Sequence, residues 1–352
     1  MTNGHPITLD CIIFGLQRFG GISNFWAKLV DHVSVEPALN GCLVLPNNVC
    51  YRDFDAAWLE RLPVLRESLA AKYGRYLPAP TPIDANVFHT SYYRLPRQRV
   101  GKYVVSVYDF TYERYRTGLA RFVHSKQKIE SIRRADAVLC ISDSTRRDVI
   151  EFCPGVETSK LHVIHLGVDA GSFYPESSLA CQANQLIVLF VGQRGGYKRF
   201  DLAVEAIRAS PRLSLGVVGP KLSDAERSLL LERLGSRWRE FGPVSNIELR
   251  KLYSSAFAFI FPSDYEGFGL PILEAMACGC PVVAASLSSL PEVGGQAAHY
   301  ARSQSGESYA AALDTLGDVA TREDAVSAGI ERAAHFAWSS TLQRIQAVYL
   351  DK

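Results

Sequence analysis

Short apolar runs alternate along this chain with longer stretches in which apolar residues recur every three or four positions. The short runs predict buried strands, whereas the three- and four-residue spacing predicts helices with one apolar face. Strands are predicted at residues 7–14, 42–46, 86–90, 102–108, 135–142, 160–169, 185–191, 213–218, 256–261 and 281–285. Helices are predicted at residues 22–30, 54–76, 119–134, 143–150, 202–207, 224–234, 247–254, 270–277, 309–316, 322–336 and 338–350. This alternation predicts an α/β fold built on parallel sheets.

The predicted strands form two series, separated by a polar stretch at residues 172–184 that has little periodicity. A chain of 352 residues is long for one domain and of ordinary length for two. We therefore expect an N-terminal Rossmann-like domain at residues 1–175, a second one at residues 185–336, and a final helix within residues 337–352.

The amino-acid composition argues against several classes of protein. Hydrophobic residues make up 47% and charged residues 21% of the chain, which is typical of a globular protein. No apolar run is long enough to span a membrane and the N-terminus has no signal-peptide pattern, so we expect a cytoplasmic protein. A net charge of +2 argues against a nucleic-acid partner. The eight cysteines include no CxxC pair, so we expect buried thiols and no metal site.

Positive charge is concentrated between Arg94 and Arg134. This segment has eleven lysines and arginines against three acidic residues. Two interpretations stay open: a solvated helix face, or a surface that meets anionic lipid headgroups or a pyrophosphate-bearing acceptor at the inner face of the cell membrane.

The most informative stretch is residues 261–281, in which an apolar run passes through a glycine-rich turn into a helical pattern. Two carboxylates, Glu266 in the turn and Glu274 inside the helix, lie eight residues apart. Pro271 suits a first helical turn, where its missing N–H group costs nothing. The backbone N–H groups of residues 267–270 are expected to make an anion site at the helix start.

Three other strand ends carry candidate binding groups. Gly20 and Gly21 follow the first strand and would let the backbone approach a ligand. Arg194 and Lys198 lie in a glycine-rich turn after the strand at 185–191, which suits a diphosphate. Asp109 and the residue before it, Tyr108, end another strand, where open α/β sheets gather their functional residues.

The stretch Glu266-Gly-Phe-Gly-Leu-Pro-Ile-Leu-Glu274 resembles the Glu-x7-Glu signature of the retaining nucleotide-sugar glycosyltransferases of family 4, which have the GT-B fold. The resemblance implies two Rossmann-like domains facing each other across a cleft, with the final helix at 337–352 crossing back onto the first domain. It also implies a nucleotide-sugar donor. No metal is expected, because Arg194, Lys198 and the helix start at residues 267–270 would stabilise charge on the departing diphosphate.

By this resemblance, Glu266 binds hydroxyls of the donor sugar, Glu274 binds the ribose, and Arg194 and Lys198 neutralise the leaving diphosphate. Tyr108 stands where the family usually has a histidine, and Arg194 lies one place later than in the commonest family pattern. The catalytic candidates are Glu266, Asp109 and Tyr108. The donor-binding candidates are Gly20, Gly21, Arg194, Lys198, Gly267, Phe268, Gly269, Leu270 and Glu274.

The function that follows is a retaining hexosyltransferase that moves a sugar onto a glycan or lipid-linked glycan in surface polysaccharide or lipopolysaccharide biosynthesis. Mannose from GDP-mannose is the first candidate, and a UDP-sugar is the other donor considered. Two alternatives share the architecture: a GT-B sugar-nucleotide epimerase or phosphorylase, and a two-lobed binding protein without catalytic activity.

Overall fold

A computed structural model describes residues 5–18, 20–82, 84–176 and 186–351. The chain divides into two compact α/β units. The first comprises Met1–Leu166 together with Trp338–Lys352, and the second comprises Gly167–Ala337. Each unit is built on one parallel sheet, so the predicted fold class of two Rossmann-like domains is confirmed.

The first unit contains a seven-stranded sheet in the order β3-β2-β1-β4-β5-β6-β7. Its strands are β1 His5–Asp10, β2 Leu39–Leu45, β3 Val64–Arg66, β4 Val87–Thr90, β5 Lys102–Val107, β6 Ala137–Cys140 and β7 Leu161–Val163. Its helices are α1 Gly21–Val35, α2 Trp58–Arg61, α3 Ala71–Gly74, α4 Thr111–Tyr115, α5 Gly118–Arg134, α6 Asp143–Phe152 and the last helix, α14 Trp338–Leu350. The strand interiors are buried on both faces, which explains their continuous apolar sequences.

The second unit contains a six-stranded parallel sheet in the order β10-β9-β8-β11-β12-β13. Its strands are β8 Ile187–Val191, β9 Ser214–Val218, β10 Trp238–Gly242, β11 Ala258–Phe261, β12 Val282–Ala285 and β13 Ala298–Ala301. Its helices are α7 Phe200–Ala209, α8 Asp224–Leu234, α9 Asn246–Ser255, α10 Leu270–Ala277, α11 Leu290–Gly294, α12 Gly306–Thr315 and α13 Val319–Ala334. The strand order reverses between β8 and β11, and open α/β sheets bind their ligands outside the carboxyl ends of strands at such a point.

The boundary between the units lies earlier than the sequence analysis placed it. Val168 donates its N–H to the carbonyl of Phe336, and Glu176 pairs with Arg250 of α9 at 2.6 Å. These contacts attach residues 167–176 to the second unit rather than to a domain ending at 175. The rest of the predicted linker, residues 177–184, lies outside the described residues.

One predicted helix is wrong. Residues 54–76 form α2, the strand β3 and α3 instead of one long helix. Pro63 interrupts the pattern because proline disfavours helical geometry in the residue before it. Trp58 and Leu62 are buried as the pattern suggested, but Leu65 and Leu69 are exposed.

Two cations of the basic segment are buried in the first unit instead of lying on its surface. Arg94 is 1% exposed and pairs with Asp10 at 3.2 Å and with Glu67 at 2.7 Å. Lys128 is equally buried and pairs with Glu113 at 2.8 Å. The cations of the segment that make neither an ion pair nor a side-chain hydrogen bond with the described residues are Arg97, Arg99, Arg116, Arg121, Lys126 and Arg133.

Within the described residues, none of the helices combines the length and the apolar character needed to cross a membrane. The seven cysteines of that part of the chain are free thiols, and Cys181 lies outside it.

Candidate active site

Loops that follow three neighbouring strands of the second unit, β8, β11 and β12, meet at the carboxyl edge of the sheet. Asp264, after β11, donates its N–H to the carbonyl of Tyr197, in the loop after β8. Arg199 has a left-handed backbone, with a φ of 48°, and reaches Asp264 at 3.4 Å. The two loops are therefore joined by backbone and side-chain contacts.

The structure brings Lys198 and Glu266 together across this junction. Lys198 ends a short 3-10 helix, Gly196–Lys198, and its Nζ lies 2.6 Å from Glu266 Oε1. The two side chains are 18% and 13% exposed, so the pair is partly shielded and still reachable from solvent. Such a pair places a cation next to a carboxylate, so the site offers one group that can bind an anion and one that can accept hydrogen bonds from hydroxyl groups.

Two serines after β12 hold the loop that carries Glu266. Ser288 Oγ accepts the N–H of Glu266 at 2.9 Å, and Ser288 itself has a positive φ of 52°. Ser289 Oγ donates to the carbonyls of Glu266 and Phe268 at 2.9 and 2.7 Å. These bonds fix the position of the carboxylate before any ligand binds.

The helix α10 begins where the glycine-rich turn predicted it. Gly269 precedes the helix with a φ of +107°, and a Cβ at this position would lie 3.0 Å from Leu290. Glycine is required there for both reasons. Leu270 is the first helical residue, and the backbone of Gly267 lies in the turn before it. Phe268 is not a surface residue, because its ring is buried and packs against Phe336.

Glu274 is a half-buried carboxylate in the second turn of α10. Burial raises its pKa to about 7, and no ion pair or hydrogen bond of its carboxylate occurs within the described residues. Its electrostatic neighbours, Tyr253 and Cys278, are neutral groups whose own pKa values burial raises. A carboxyl group in this state can exchange hydrogen bonds with hydroxyl groups of a neutral ligand.

Arg194 does not join this site as the sequence analysis expected. Its Nε lies 2.6 Å from Glu226 of α8, and its other nitrogens donate to Glu226 and to the carbonyls of Pro220 and Lys221. The hydrogen bond from Arg194 is the main reason why the pKa of Glu226 falls to about 2. Glu226 also completes a capping box with Ser223, so Arg194 stabilises a helix start.

The two catalytic candidates of the first unit, Asp109 and Tyr108, differ in their exposure to solvent. Asp109 is half-buried, and its Oδ1 accepts the N–H of Thr111 at 2.8 Å. Tyr108, in contrast, is 5% exposed, and its hydroxyl accepts the indole N–H of Trp26 at 2.5 Å. The expectation that Tyr108 faces a ligand is therefore corrected, because α1 covers the tyrosine and supplies its hydrogen bond.

His89 is likewise a structural residue. Its ring nitrogens contact the hydroxyls of Tyr349 at 2.5 Å and Ser106 at 2.8 Å. Burial lowers the pKa of His89 to about 3, so it is neutral.

In the first unit, Gly20 is the N-cap of α1 and Gly21 is its first residue. The carbonyl of Gly20 accepts hydrogen bonds from Ser23 Oγ and from the N–H of Asn24. A Cβ on Gly20 would lie 2.9 Å from Gln17 Oε1, so the glycine lets this side chain approach the helix start.

An Asp-x-Asp sequence occurs in the first unit, at Asp53 and Asp55. Asp53 pairs with Arg52, and Asp55 accepts the N–H of Ala57. No group of three or more potential metal ligands occurs within the described ranges.

The sequence did not predict the roles of Ser288, Ser289 and Arg199, which hold the loops of the site together. Serine after a strand is too common to signal this role. The capping signature Ser223-x-x-Glu226 was readable, but nothing in it showed that Glu226 would also bind Arg194.

Comparisons with known proteins agree with this architecture. Residues 177–329 match the model of the family Glycosyl transferases group 1, and residues 64–171 match that of Glycosyltransferase Family 4. The chain is 31% identical over 320 residues to O-antigen chain mannosyltransferase B of Escherichia coli, covering 84% of this chain and 82% of that protein.

Two solved structures share the fold. Sucrose-phosphate synthase from Thermosynechococcus elongatus superposes with a TM-score of 0.77 at 20% identity, over 98% of both chains. Anabaena HepE in complex with UDP and glucose superposes with a TM-score of 0.69 at 16% identity, over 99% of this chain and 100% of that one. These findings favour a transferase over a binding protein without catalytic activity. The chain belongs to the glycosyl transferases group 1 family and is a glycosyltransferase with the GT-B fold.

Proposed function

We propose that this protein is a retaining hexosyltransferase that transfers mannose from GDP-mannose to a glycan or lipid-linked glycan during surface polysaccharide synthesis. The observation that carries the proposal is the Lys198–Glu266 pair, held by three loops at the carboxyl edge of the second sheet. Lys198 binds the donor diphosphate, and Glu266 binds hydroxyls of the donor sugar.

The chemistry assigned to this site is cleavage of a sugar–phosphate bond. As the bond breaks, negative charge grows on the diphosphate, and Lys198 and the N-terminus of α10 stabilise it without a metal ion. The leaving phosphate oxygen takes the proton of the acceptor hydroxyl, which attacks the sugar from the same face. Glu274 accepts hydrogen bonds from the ribose and so anchors the nucleotide.

The proposed donor, GDP-mannose, is inferred from related proteins. O-antigen chain mannosyltransferase B supports mannose, whereas the HepE complex with UDP and glucose keeps a UDP-sugar as the competing donor. A thermal-shift comparison of GDP, UDP, ADP and CMP separates them. At equal ligand concentration the nucleotide that binds more tightly raises the melting temperature more, since the stabilisation grows with the logarithm of the ratio of ligand concentration to Kd. We expect GDP to give the largest shift. Equal, negligible shifts with all four nucleotides would refute the proposed donor site.

The reaction class needs its own test. Release of nucleoside diphosphate from the donor that depends on an acceptor glycan indicates transfer, whereas conversion of the sugar nucleotide without acceptor indicates an epimerase. Phosphate-dependent release of sugar 1-phosphate indicates a phosphorylase. We expect acceptor-dependent release, with retention of the anomeric configuration measured by proton NMR of the product.

We also propose that α5 contacts an anionic membrane. Its N-terminal half exposes Leu119 (76%) and Phe122 (64%), and beside them lie Arg121 and Lys126, which make no ion pair with described residues. Exposed apolar side chains flanked by cations are typical of a helix that lies at a lipid surface.

Sedimentation with vesicles tests this contact. Wild type should sediment with phosphatidylglycerol vesicles and less with phosphatidylcholine vesicles. The double variant Leu119→Asp/Phe122→Asp should lose this binding, while Leu231→Asp, at an exposed position of α8 in the second unit, should keep it. Unchanged sedimentation of the double variant would place the contact elsewhere.

A further inference from the structure

A second cluster of polar groups lies in the first unit, around Arg75. This residue directly follows α3, and its guanidinium lies over the rings of Tyr76 and Tyr92, 4.7 and 4.9 Å from their centroids. Its Nη2 donates to the hydroxyl of Tyr76 at 2.7 Å. Its Nε is buried without a hydrogen-bond partner, and no described carboxylate pairs with it. A guanidinium left in this state has the capacity to bind an anion.

The aromatic neighbours do not neutralise this charge. Burial raises the pKa of Tyr92 to about 12, although the positive charge of Arg75 acts in the opposite direction. Tyr92 is therefore a neutral phenol, and it contributes a ring face and a hydroxyl to the cluster. Asp109 lies within electrostatic range of Tyr92, and one of its oxygens is occupied by the N–H of Thr111.

The segment that carries Arg75 is anchored on both sides. Asn48 Oδ1 accepts the N–H of Ala71 at 2.7 Å, and Arg94 Nε donates to the carbonyl of Leu77 at 3.1 Å. Gln127 of α5 adds a third anchor, because its Nε2 donates to the carbonyl of Arg75 at 2.5 Å. The backbone that carries Arg75 is therefore fixed before a ligand binds, so less conformational freedom is lost on binding.

The turn after β4 positions Tyr92 in the same cluster. Thr90 Oγ1 accepts the N–H groups of Tyr92 and Arg94, and Tyr93 has a positive φ of 57°. For a tyrosine this backbone costs about 1–3 kcal/mol, and strain of this size is found where function requires a special geometry. Because β4 pairs with β5, Tyr92 and Asp109 share the carboxyl edge of the first sheet.

The surface around the cluster is suited to a ligand with an apolar part. Tyr73, Tyr76 and Leu77 are 60%, 50% and 47% exposed. The contact between Gln127 and Arg75 joins this surface to α5, whose N-terminal half exposes Leu119 and Phe122. Exposed tyrosines beside aliphatic side chains are typical of a boundary between lipid and water.

We propose that Arg75, Tyr76 and Tyr92 bind the diphosphate of a lipid-linked acceptor, an assignment that rests on the proposed transferase function. The guanidinium and the two hydroxyls donate hydrogen bonds to phosphate oxygens. Gln127 Oε1, which is buried without a partner, accepts a hydrogen bond from a hydroxyl of the attached sugar. The exposed tyrosines and the N-terminal half of α5 meet the lipid chain.

The test is titration with inorganic pyrophosphate in the Lys198→Ala variant, so that the proposed donor site contributes little. Adding Arg75→Gln to this variant should weaken pyrophosphate binding at least about tenfold, since a charge-assisted fork is lost. Adding Arg75→Lys should restore part of the affinity, because it keeps the charge without the fork. The matched control is Arg61→Gln, which removes an exposed arginine of the same unit.

Each outcome decides the proposal. If Arg75→Gln and Arg61→Gln leave pyrophosphate binding equally tight, the site around Arg75 is refuted. Circular dichroism and melting temperature show whether Arg75→Gln is folded, and Arg75→Lys provides a second, milder variant if it is not. Failure of the donor proposal is recognised separately, as the absence of any nucleotide-induced thermal shift in the wild type.

Binding to vesicles shows whether the diphosphate belongs to a lipid-linked or to a soluble acceptor. Phosphatidylcholine vesicles containing farnesyl diphosphate should recruit wild type and Arg61→Gln but not Arg75→Gln, and vesicles containing farnesol should recruit none of them. Binding of inorganic pyrophosphate together with equal recruitment by both vesicles would assign the site to a soluble phosphorylated acceptor and overturn the lipid assignment.

Discussion

Each unit contains an ion pair between a lysine and a glutamate, and the two pairs have different surroundings. Lys128 and Glu113 of the first unit lie 2.8 Å apart and are 1% and 3% exposed. Lys198 and Glu266 of the second unit lie 2.6 Å apart and are 18% and 13% exposed. The same chemical pair is thus enclosed by protein in one unit and open to a ligand in the other.

The partners of each pair explain the difference. Lys128 also donates to the carbonyl of Asp109 and lies over the ring of Phe110, so its charge is fully surrounded. Burial alone would raise the pKa of Glu113, but the nearby His124 ring, the charge of Lys128 and the hydrogen bonds from Lys128 and Ser125 lower it to about 2. The pair at Lys198 lies on loops at strand ends, where a diphosphate could replace the carboxylate. Burial and position in the sheet therefore separate a structural pair from a candidate catalytic one.

The largest effect is expected from breaking the buried pair. Lys128→Met leaves Glu113 as a buried charge without its cation, and such changes cost about 3–5 kcal/mol of the free energy of unfolding. Urea denaturation measures this loss, and Lys126→Met, at an exposed position of the same helix, is the control. A loss below about 1 kcal/mol would mean that the enclosed pair behaves like a surface pair.

Breaking the open pair should affect activity instead of stability. Glu266→Ala removes the contact with the donor sugar and should lower the rate of nucleoside diphosphate release from the donor by about 10²–10³-fold. Nucleotide binding should be unchanged or tighter, because Lys198 loses its internal counter-charge. Normal turnover of this variant would remove the role assigned to Glu266.

Two cations of the same turn provide the next comparison. Lys198→Ala should weaken nucleoside diphosphate binding by about 10–100-fold, the size of a lost charge-assisted contact. Arg194→Ala should leave that affinity within about threefold, since Arg194 binds Glu226 and should affect stability instead. Thermal shifts with the preferred nucleotide measure both. Equal losses of affinity would show that Arg194 leaves Glu226 when the donor binds.

The sequence was informative where backbone geometry determines the site. One glycine-rich turn predicted the start of α10, where Gly269 has a positive φ, and another, after the strand at 185–191, predicted that Lys198 lies at a strand end. Apolar runs also predicted most strands of both parallel sheets, but not β3, β10 and β13. These features depend on residues that are close together in the chain, so the local sequence predicts them.

Side-chain partners from distant segments were not predictable in the same way. Arg194 binds Glu226, thirty-two residues away, and Arg94 binds Asp10, eighty-four residues away. Tyr108 ends a strand as a catalytic residue would, but Trp26 of α1 covers it. Only the packing of one element on another decides whether such a residue faces a ligand or the core. Arg75 was missed for the same reason, because its significance comes from Tyr92 and Gln127.

The smallest expected effect concerns Glu274, which has no cation to pair with among the described residues. Its pKa of about 7 in the folded protein lies above the ordinary 4.5, so the folded state binds the proton more tightly than the unfolded state. The contribution of this group to stability is therefore fully present below pH 4.5 and is lost as the pH rises through 7. Glu274→Gln imitates the protonated acid: it should match the wild type at low pH and exceed its free energy of unfolding by about 1–2 kcal/mol above neutrality. Urea denaturation across this range measures the difference, with the exposed Glu323→Gln as control.

Glu274→Gln should also show a smaller nucleotide-induced thermal shift than the wild type, because an amide accepts a ribose hydroxyl less strongly than a carboxylate. A constant stability difference at all pH values would mean that burial does not perturb Glu274, and an unchanged nucleotide shift would exclude the ribose contact.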